Sequence, residues 1–280
     1  MTTTLAAFIL VISVLVFIHE LGHFLVARWF GVRVVTFSIG FGPKLLRLRR
    51  HDTEYCLSAI PLGGYVKMAT GQPGAARADE YHGKARWQRA LIMAAGPAMN
   101  FLLAIAALTA IALHGIDMPS TAGHAPVHLQ PSLWQALSIS TQAAGVLIIQ
   151  VLGTVRGLVS GAISLRDLAG PIGIARIAGQ SARSGWMDLL ALTTMLSVNL
   201  GVMNLLPLPT LDGGNIALTA IDGIRGRDMS LAVRRRILKG GFVVLLALTA
   251  GTIYNDITRV AGEPASAAAA SVSGTQATGR

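Results

Sequence analysis

The residues best suited to chemistry are His19, Glu20 and His23, in the run His19-Glu20-Leu21-Gly22-His23. On a helix, side chains four apart share a face, so the two imidazoles can be aimed at one ion. Glu20 then lies beside that ion, where it can take a proton from an attacking water. The ordinary alternative is a pair of hydrogen-bonded histidines inside a buried helix. The surroundings weigh against it, because the run interrupts an apolar segment that begins at Leu5 and stays uncharged through Ile18. Ionisable groups at membrane depth are costly and tend to be functional. Two histidines do not complete a zinc site, since a catalytic zinc usually has three protein ligands and one open position. A third ligand must come from elsewhere in the chain, at the same depth.

Composition sets the class that can supply it. Of 280 residues, 52% are hydrophobic and only 13% charged, with a mean hydropathy of +0.58. That is too apolar for an ordinary soluble domain and reads as a multi-spanning membrane protein. The net charge of +10 then points to basic loops facing anionic lipid rather than to nucleic acid. A single cysteine, Cys56, excludes an intrachain disulfide framework and a multi-cysteine metal site. No cleavable signal peptide is expected, because the N-terminus has no basic n-region and its apolar run carries the histidines.

The elements that must position the site follow from hydropathy and punctuation. A first span covers residues 5–30, with fourteen uncharged residues, about 21 Å of helix, ahead of His19. Residues 31–89 are basic, with eleven Lys/Arg against four Asp/Glu from Arg28 to Arg89, and are placed on the cytoplasmic side. Gly40 to Pro43 and Pro61 to Met68 flank an alternating run there, which predicts a membrane-associated β-hairpin or small sheet. A second span is expected at 90–113, entered through Trp87, with a kink or close helix contact at Gly96-Pro97. Residues 114–132 form an extracytoplasmic linker; its His114, His124 and His128 are spaced ten and four across Pro126 and do not fit one helix face. Residues 133–185 hold an amphipathic helix and connector, with Leu133, Leu137, Ala144, Ile148, Val151 and Val155 at helical spacing. A third span is expected at 186–214, a fourth at 237–258, and a disordered Ala/Ser/Gly-rich tail at 261–280. The predicted fold class is an all-α polytopic membrane protein with four transmembrane helices, the β-hairpin after the first, and an extracytoplasmic amphipathic helix.

Asp212 is the predicted third ligand. It follows Pro207 and Pro209, which must end the helix before it. A broken helix at membrane depth is tolerated only where its backbone lines a polar cavity or is buried in protein. Topology adds a second argument. Asp212 reaches the depth of His19 only if the span before it runs in the same direction as the first. No net crossing can then lie between Leu113 and Trp186, so the helix from Leu133 should lie on, or lean into, the extracytoplasmic side.

Together, His19-Glu-Leu-Gly-His23 in one span and Asn204-Leu-Leu-Pro207-Leu-Pro209-Thr-Leu-Asp212-Gly213 in a later one resemble the site-2 protease family of intramembrane zinc metalloproteases. Pro61 to Met68, Trp87-Gln-Arg89, Ala95-Gly96-Pro97, Gly170-Pro171-Ile172 and Ser197-Val-Asn199-Leu-Gly201 resemble more closely the bacterial regulator of sigma-E protease group. The resemblance covers residues 5–114 and 133–258. It implies one Zn2+ per chain on His19, His23 and Asp212, with Glu20 as general base. It implies that Asn204, with Pro207 and Pro209, holds substrate near the zinc, and that Gly63, Gly64, Tyr65, Val66, Lys67 and Met68 pair with an extended substrate strand. Such pairing has physical sense, because a helical peptide must unwind before water can attack and a strand edge offers replacement hydrogen bonds. Where that group carries PDZ domains, this chain has about twenty linker residues.

The function expected is zinc metalloendopeptidase activity on transmembrane segments of single-span proteins in the bacterial cytoplasmic membrane, with both termini extracytoplasmic. Anti-sigma factors pre-cut by a first protease, or remnant signal peptides, are the expected substrates. A catalytically idle scaffold or chaperone of the same fold is the alternative; a metal transporter would need polar residues across several spans, which are missing. Glu20 separates the first two, since a scaffold needs no base beside a metal.

Overall fold

The computed structural model describes residues 2–118 and 127–274. Helix α1 (Thr2–Trp29) buries Ala7, Val11, Leu15, His19, Gly22, His23 and Ala27. These positions recur at three or four residues, so one stripe of the helix carries both the packing residues and the histidines. Helix α2 (Arg86–His114) turns its own stripe of Ile92, Gly96, Asn100 and Ala104 toward the bundle. Contacts from His23 to Ile92 and from His19 to Asn100 show that the two helices run antiparallel.

Two strands follow α1. Strand β1 (Val34–Arg50) and strand β2 (Thr53–Met68) are long and sharply folded, so that residues 36–39 of β1 pair on one side with 54–57 and on the other with 64–67. The bend at Gly40 needs φ of +87°, and a Cβ there would meet the carbonyls of Ser58 and Ile60. Gly64–Met68 is left as an edge lying along α1, tied to it by Ser13 Oγ donating to the Pro61 carbonyl at 2.6 Å. The hairpin expected from the glycine pairs is present, and it reaches two turns of α1 past His19.

Short strands β3 (Ile116–Met118) and β4 (Val127–Leu129) pair after α2; His124, between them, lies outside the described residues. Helix α3 (Leu133–Ser160) begins at a Ser132 cap and ends at Gly161. Its Leu147, Ile148 and Val151 pack on Ala104 of α2 and on Val198 and Val202 of helix α5 (Trp186–Leu205). The buried positions of α3 are Ala136, Ser140 and Ala144, while Leu133 and Leu137 are exposed. The expected apolar stripe therefore holds at Ala144, Ile148 and Val151 but not at Leu133 and Leu137, where small Ala136 and Ser140 face the bundle instead, as lipid allows. Helix α4 (Pro171–Ser184) then packs on the start of α1, where Gly179 meets Thr4 and Ala178 meets Ala7. The rings of His114 and Trp186 touch at 5.4 Å, so the chain between α2 and α5 returns to the end of the bundle that it left.

The expected third span divides in two. Leu206 is extended ahead of Pro207, α5 stops at Leu205, and Asp212 opens a separate helix α6 (Asp212–Ile224). Helix α7 (Leu231–Gly274) meets the rest of the chain through Arg234 against Asp222, Gly241 against Pro209 and Asp256 against Gly170, among other contacts. Its helical assignment continues through Gly274, where a disordered tail is expected from Ala261; an Ala-rich segment also has high helix propensity. Among the described residues five helices (α1, α2, α3, α5 and α7) are long and apolar enough to cross a membrane, one more than the four expected. The addition is α3, whose length and composition qualify it.

Candidate metal centre

The site assembles where α1, α2 and the start of α6 meet. His19 Nε2 and His23 Nε2 are 3.2 Å apart. Asp212 Oδ2 lies 3.0 Å from the first and 3.3 Å from the second. Among the described residues these three form a cluster whose ligand atoms fall within 4.8 Å of one another. Both histidines are buried, and Asp212 Oδ2 receives no hydrogen bond of normal geometry. An ion suits such a trio: two ring nitrogens and a carboxylate oxygen converge on one point. The donor set, two imidazoles and one carboxylate, is a zinc set.

The neighbours hold the imidazoles by their far sides. His23 Nδ1 donates to the Ile92 carbonyl at 2.7 Å, which leaves Nε2 to face the ion. Asn100, fully buried, brings its side-chain amide to 3.0 Å from His19 Nδ1. Gly96 makes room for both rings, because a Cβ there would collide with them. Ser197 Oγ donates to the Asn100 carbonyl at 2.8 Å and so ties α5 to this turn of α2. Local sequence patterns do not reveal Asn100, although it stands four residues after Gly96 and therefore on the same face.

Glu20 points away from α2 to the edge of β2. Its Oε2 accepts from the Val66 backbone N–H at 3.0 Å. Of the predicted strand residues, Gly64 to Met68 form that edge, each paired with β1 on the opposite side, and Gly63 sits at its start. A cavity of about 420 Å3 continues from the edge toward α7, lined by Val66, Met68, Tyr81, His82, Asn215 and Arg234. Asn204 lies half-buried in the last turn of α5; Pro207 is exposed and Pro209 packs on Gly241.

A second polar cluster lies at the N-terminal end of α2. Arg89, 2% exposed, forms a two-pronged pair with Asp228 at 3.0 and 3.1 Å and also donates to His82 Nδ1 at 3.1 Å. Burial alone would raise the Asp228 carboxyl, but the Arg89 and Arg86 guanidiniums outweigh it and hold it below the usual carboxylate range. Burial, with the positive charges of Arg234 and Arg89, pushes His82 down to about 4. The ring is therefore neutral at pH 7 and free to accept.

A buried His/His/Asp cluster with a glutamate beside it, on helices of membrane length, defines a metalloprotease embedded in a membrane-type bundle. The sequence profile of peptidase family M50 matches residues 7–248, and the chain belongs to that family. A zinc metalloprotease by name from Agrobacterium fabrum is 28% identical over 368 aligned positions, covering 94% of this chain and 97% of its own. One from Brucella suis is 30% identical, covering 91% and 95%, and one from Campylobacter jejuni is 29% identical, covering 92% and 94%. An alignment of 368 positions exceeds the 280 residues of this chain, so the relative carries sequence that this chain does not. The protein is thus a zinc-dependent metalloprotease of the site-2 protease type and a multi-pass membrane protein.

Proposed function

We propose that this chain is an intramembrane zinc metalloendopeptidase that cuts transmembrane segments of single-span proteins, with one zinc on His19, His23 and Asp212. The observation that carries the reading is the position of Glu20, which sits between the metal trio and the edge of β2 and touches the backbone of Val66. When bound, zinc supplies a Lewis acid that polarises a carbonyl and lowers the pKa of water. A substrate unwound at this level pairs its backbone with Gly64–Met68, which replaces the helical hydrogen bonds it gives up. Glu20 takes the proton of the attacking water and passes it to the leaving amine. Asn204, Pro207 and Pro209 line the approach from the α5–α6 turn, as the family resemblance implies.

The basic segments 28–89 and 225–239 favour a cytoplasmic location for that end of the bundle. Four net-crossing helices then put both termini outside a bacterial inner membrane. Substrates of the regulated-proteolysis kind, an anti-sigma factor trimmed by a first protease or a remnant signal peptide, fit a site reached from lipid. The test uses purified enzyme reconstituted with a truncated single-span substrate. Glu20→Gln keeps its zinc and loses activity by ~10²–10⁴-fold. A loss below about tenfold removes Glu20 as the base, and a wild type that binds zinc but never cuts turns the reading toward a scaffold.

A further inference from the structure

Each histidine of the trio meets α2 through Nδ1, but the two partners differ. For His23 the partner is a backbone carbonyl, which can only accept, so the proton must sit on Nδ1 and the lone pair on Nε2. For His19 the partner is the Asn100 amide, which can present either end. With the nitrogen end facing the ring, His19 Nδ1 accepts, its proton moves to Nε2, and the nitrogen that faces Asp212 cannot bind a metal. That arrangement also leaves Asn100 Oδ1 buried with no partner among the described residues. With the amide turned through 180°, Oδ1 accepts from Nδ1–H and Nε2 offers its lone pair. The two ends have the same shape, so the turn needs no new space.

We propose that Asn100 is a positioning residue for the metal centre: its Oδ1 accepts the Nδ1 proton of His19 and so fixes the tautomer and the ring plane that bind zinc. The proposal rests on the zinc site assigned above and goes further by giving a role to a residue that touches neither zinc nor substrate. Three features hold the amide where the task requires it. The side chain is fully buried, its backbone carbonyl is tied to α5 by Ser197, and Gly96, one turn earlier, has no side chain and so lets the His19 ring come close to α2. Partners of metal-bound histidines typically change affinity 10–100-fold when lost.

The experiment measures zinc affinity of detergent-purified full chains by competition with a chelator of known affinity. Asn100→Leu, which fills the space and cannot accept, is expected to bind zinc 10–100-fold more weakly. Asn100→Asp, which can only accept, is expected to restore affinity to within about threefold of wild type. Ser197→Ala, which loosens the backbone tie to Asn100 but leaves its amide in place, is expected to weaken affinity by less than Asn100→Leu does. Nitrogen-15 histidine spectra of zinc-loaded wild type should show His19 protonated at Nδ1 and unprotonated at Nε2. Equal affinity in Asn100→Leu and wild type overturns the proposal, as does an Asn100→Asp no better than Asn100→Leu, or zinc on Nδ1 of His19. A wild type without stoichiometric zinc, or a His19→Ala that keeps it, overturns the site itself. The two failures are therefore distinct.

Discussion

Helix α2 carries two buried polar clusters, one at its N-terminal end and one near its middle, and the two are built differently. Near the basic end, both terminal nitrogens of Arg89 are met, by two oxygens of Asp228 and by His82, and its Nε is left unpaired. Near the middle, Asp212 Oδ2 and Asn100 Oδ1 are buried without hydrogen bonds. Satisfied polar groups fix a fold, whereas unsatisfied ones cost stability and persist where something else is to be bound. The contrast separates scaffold from site on one helix.

Three changes test this difference, and the largest effect is at the metal. Asp212→Ala is expected to drop zinc from about one per chain to below about a tenth, read by metal analysis after dialysis. The same change should leave the thermal stability of the metal-free chain within about 1 kcal/mol, because the buried Oδ2 it removes accepts no hydrogen bond of normal geometry. Loss of folding in Asp212→Ala would erase the distinction. Asp228→Ala should act in the reverse way. It leaves the Arg89 charge buried and unpaired, at a cost of about 2 kcal/mol, less than for a fully enclosed pair because Asp228 is still reached by water. Zinc binding by the folded fraction should be unchanged. The smallest effect is in pH dependence. His82 titrates at about 4 in the folded protein and near 6.5 when unfolded. Between those values the unfolded chain holds more protons, so stability falls as pH drops from about 6.5 toward 4. Screened by the water that reaches this site, the loss is about 1 kcal/mol. Unfolding curves of metal-free protein at pH 7 and pH 5 should converge in His82→Gln; an unchanged gap would move the titration elsewhere.

The two clusters were not equally legible in the sequence. His19 and His23 announce themselves because a four-residue interval puts them on one face, and Asp212 follows because helix-ending prolines at membrane depth need a reason. Arg89 and Asp228 stand 139 residues apart, and no local pattern joins them. Asn100 is one asparagine in an apolar helix, and its partner depends on how α1 docks. Helix α6 was missed because the expected third span runs through to residue 214, while in the structure Gly213 and Gly214 let the first turn of a new helix rest on the backbone of Leu205 and Leu208. On α3 helical period is the right signal, but the rule that large apolar residues point inward belongs to water. In lipid small ones can, and over the first half of α3 Ala136 and Ser140 take the inward places expected of Leu133 and Leu137, while Ala144, Ile148 and Val151 face inward as expected.

The reach of β2 along α1, from Pro61 beside Ser13 to Val66 beside Glu20, has a consequence for the ends of the products. A peptide gripped by its backbone against such an edge is measured as on a ruler whose marks are two residues apart. Slipping by two restores every bond and puts the same side chains on the same faces; slipping by one turns the peptide over. When a single substrate is cut at more than one bond, the fragment masses should form a ladder of even steps. A ladder with equal rungs at odd steps would mean that the segment is not held as a strand at the moment of cutting.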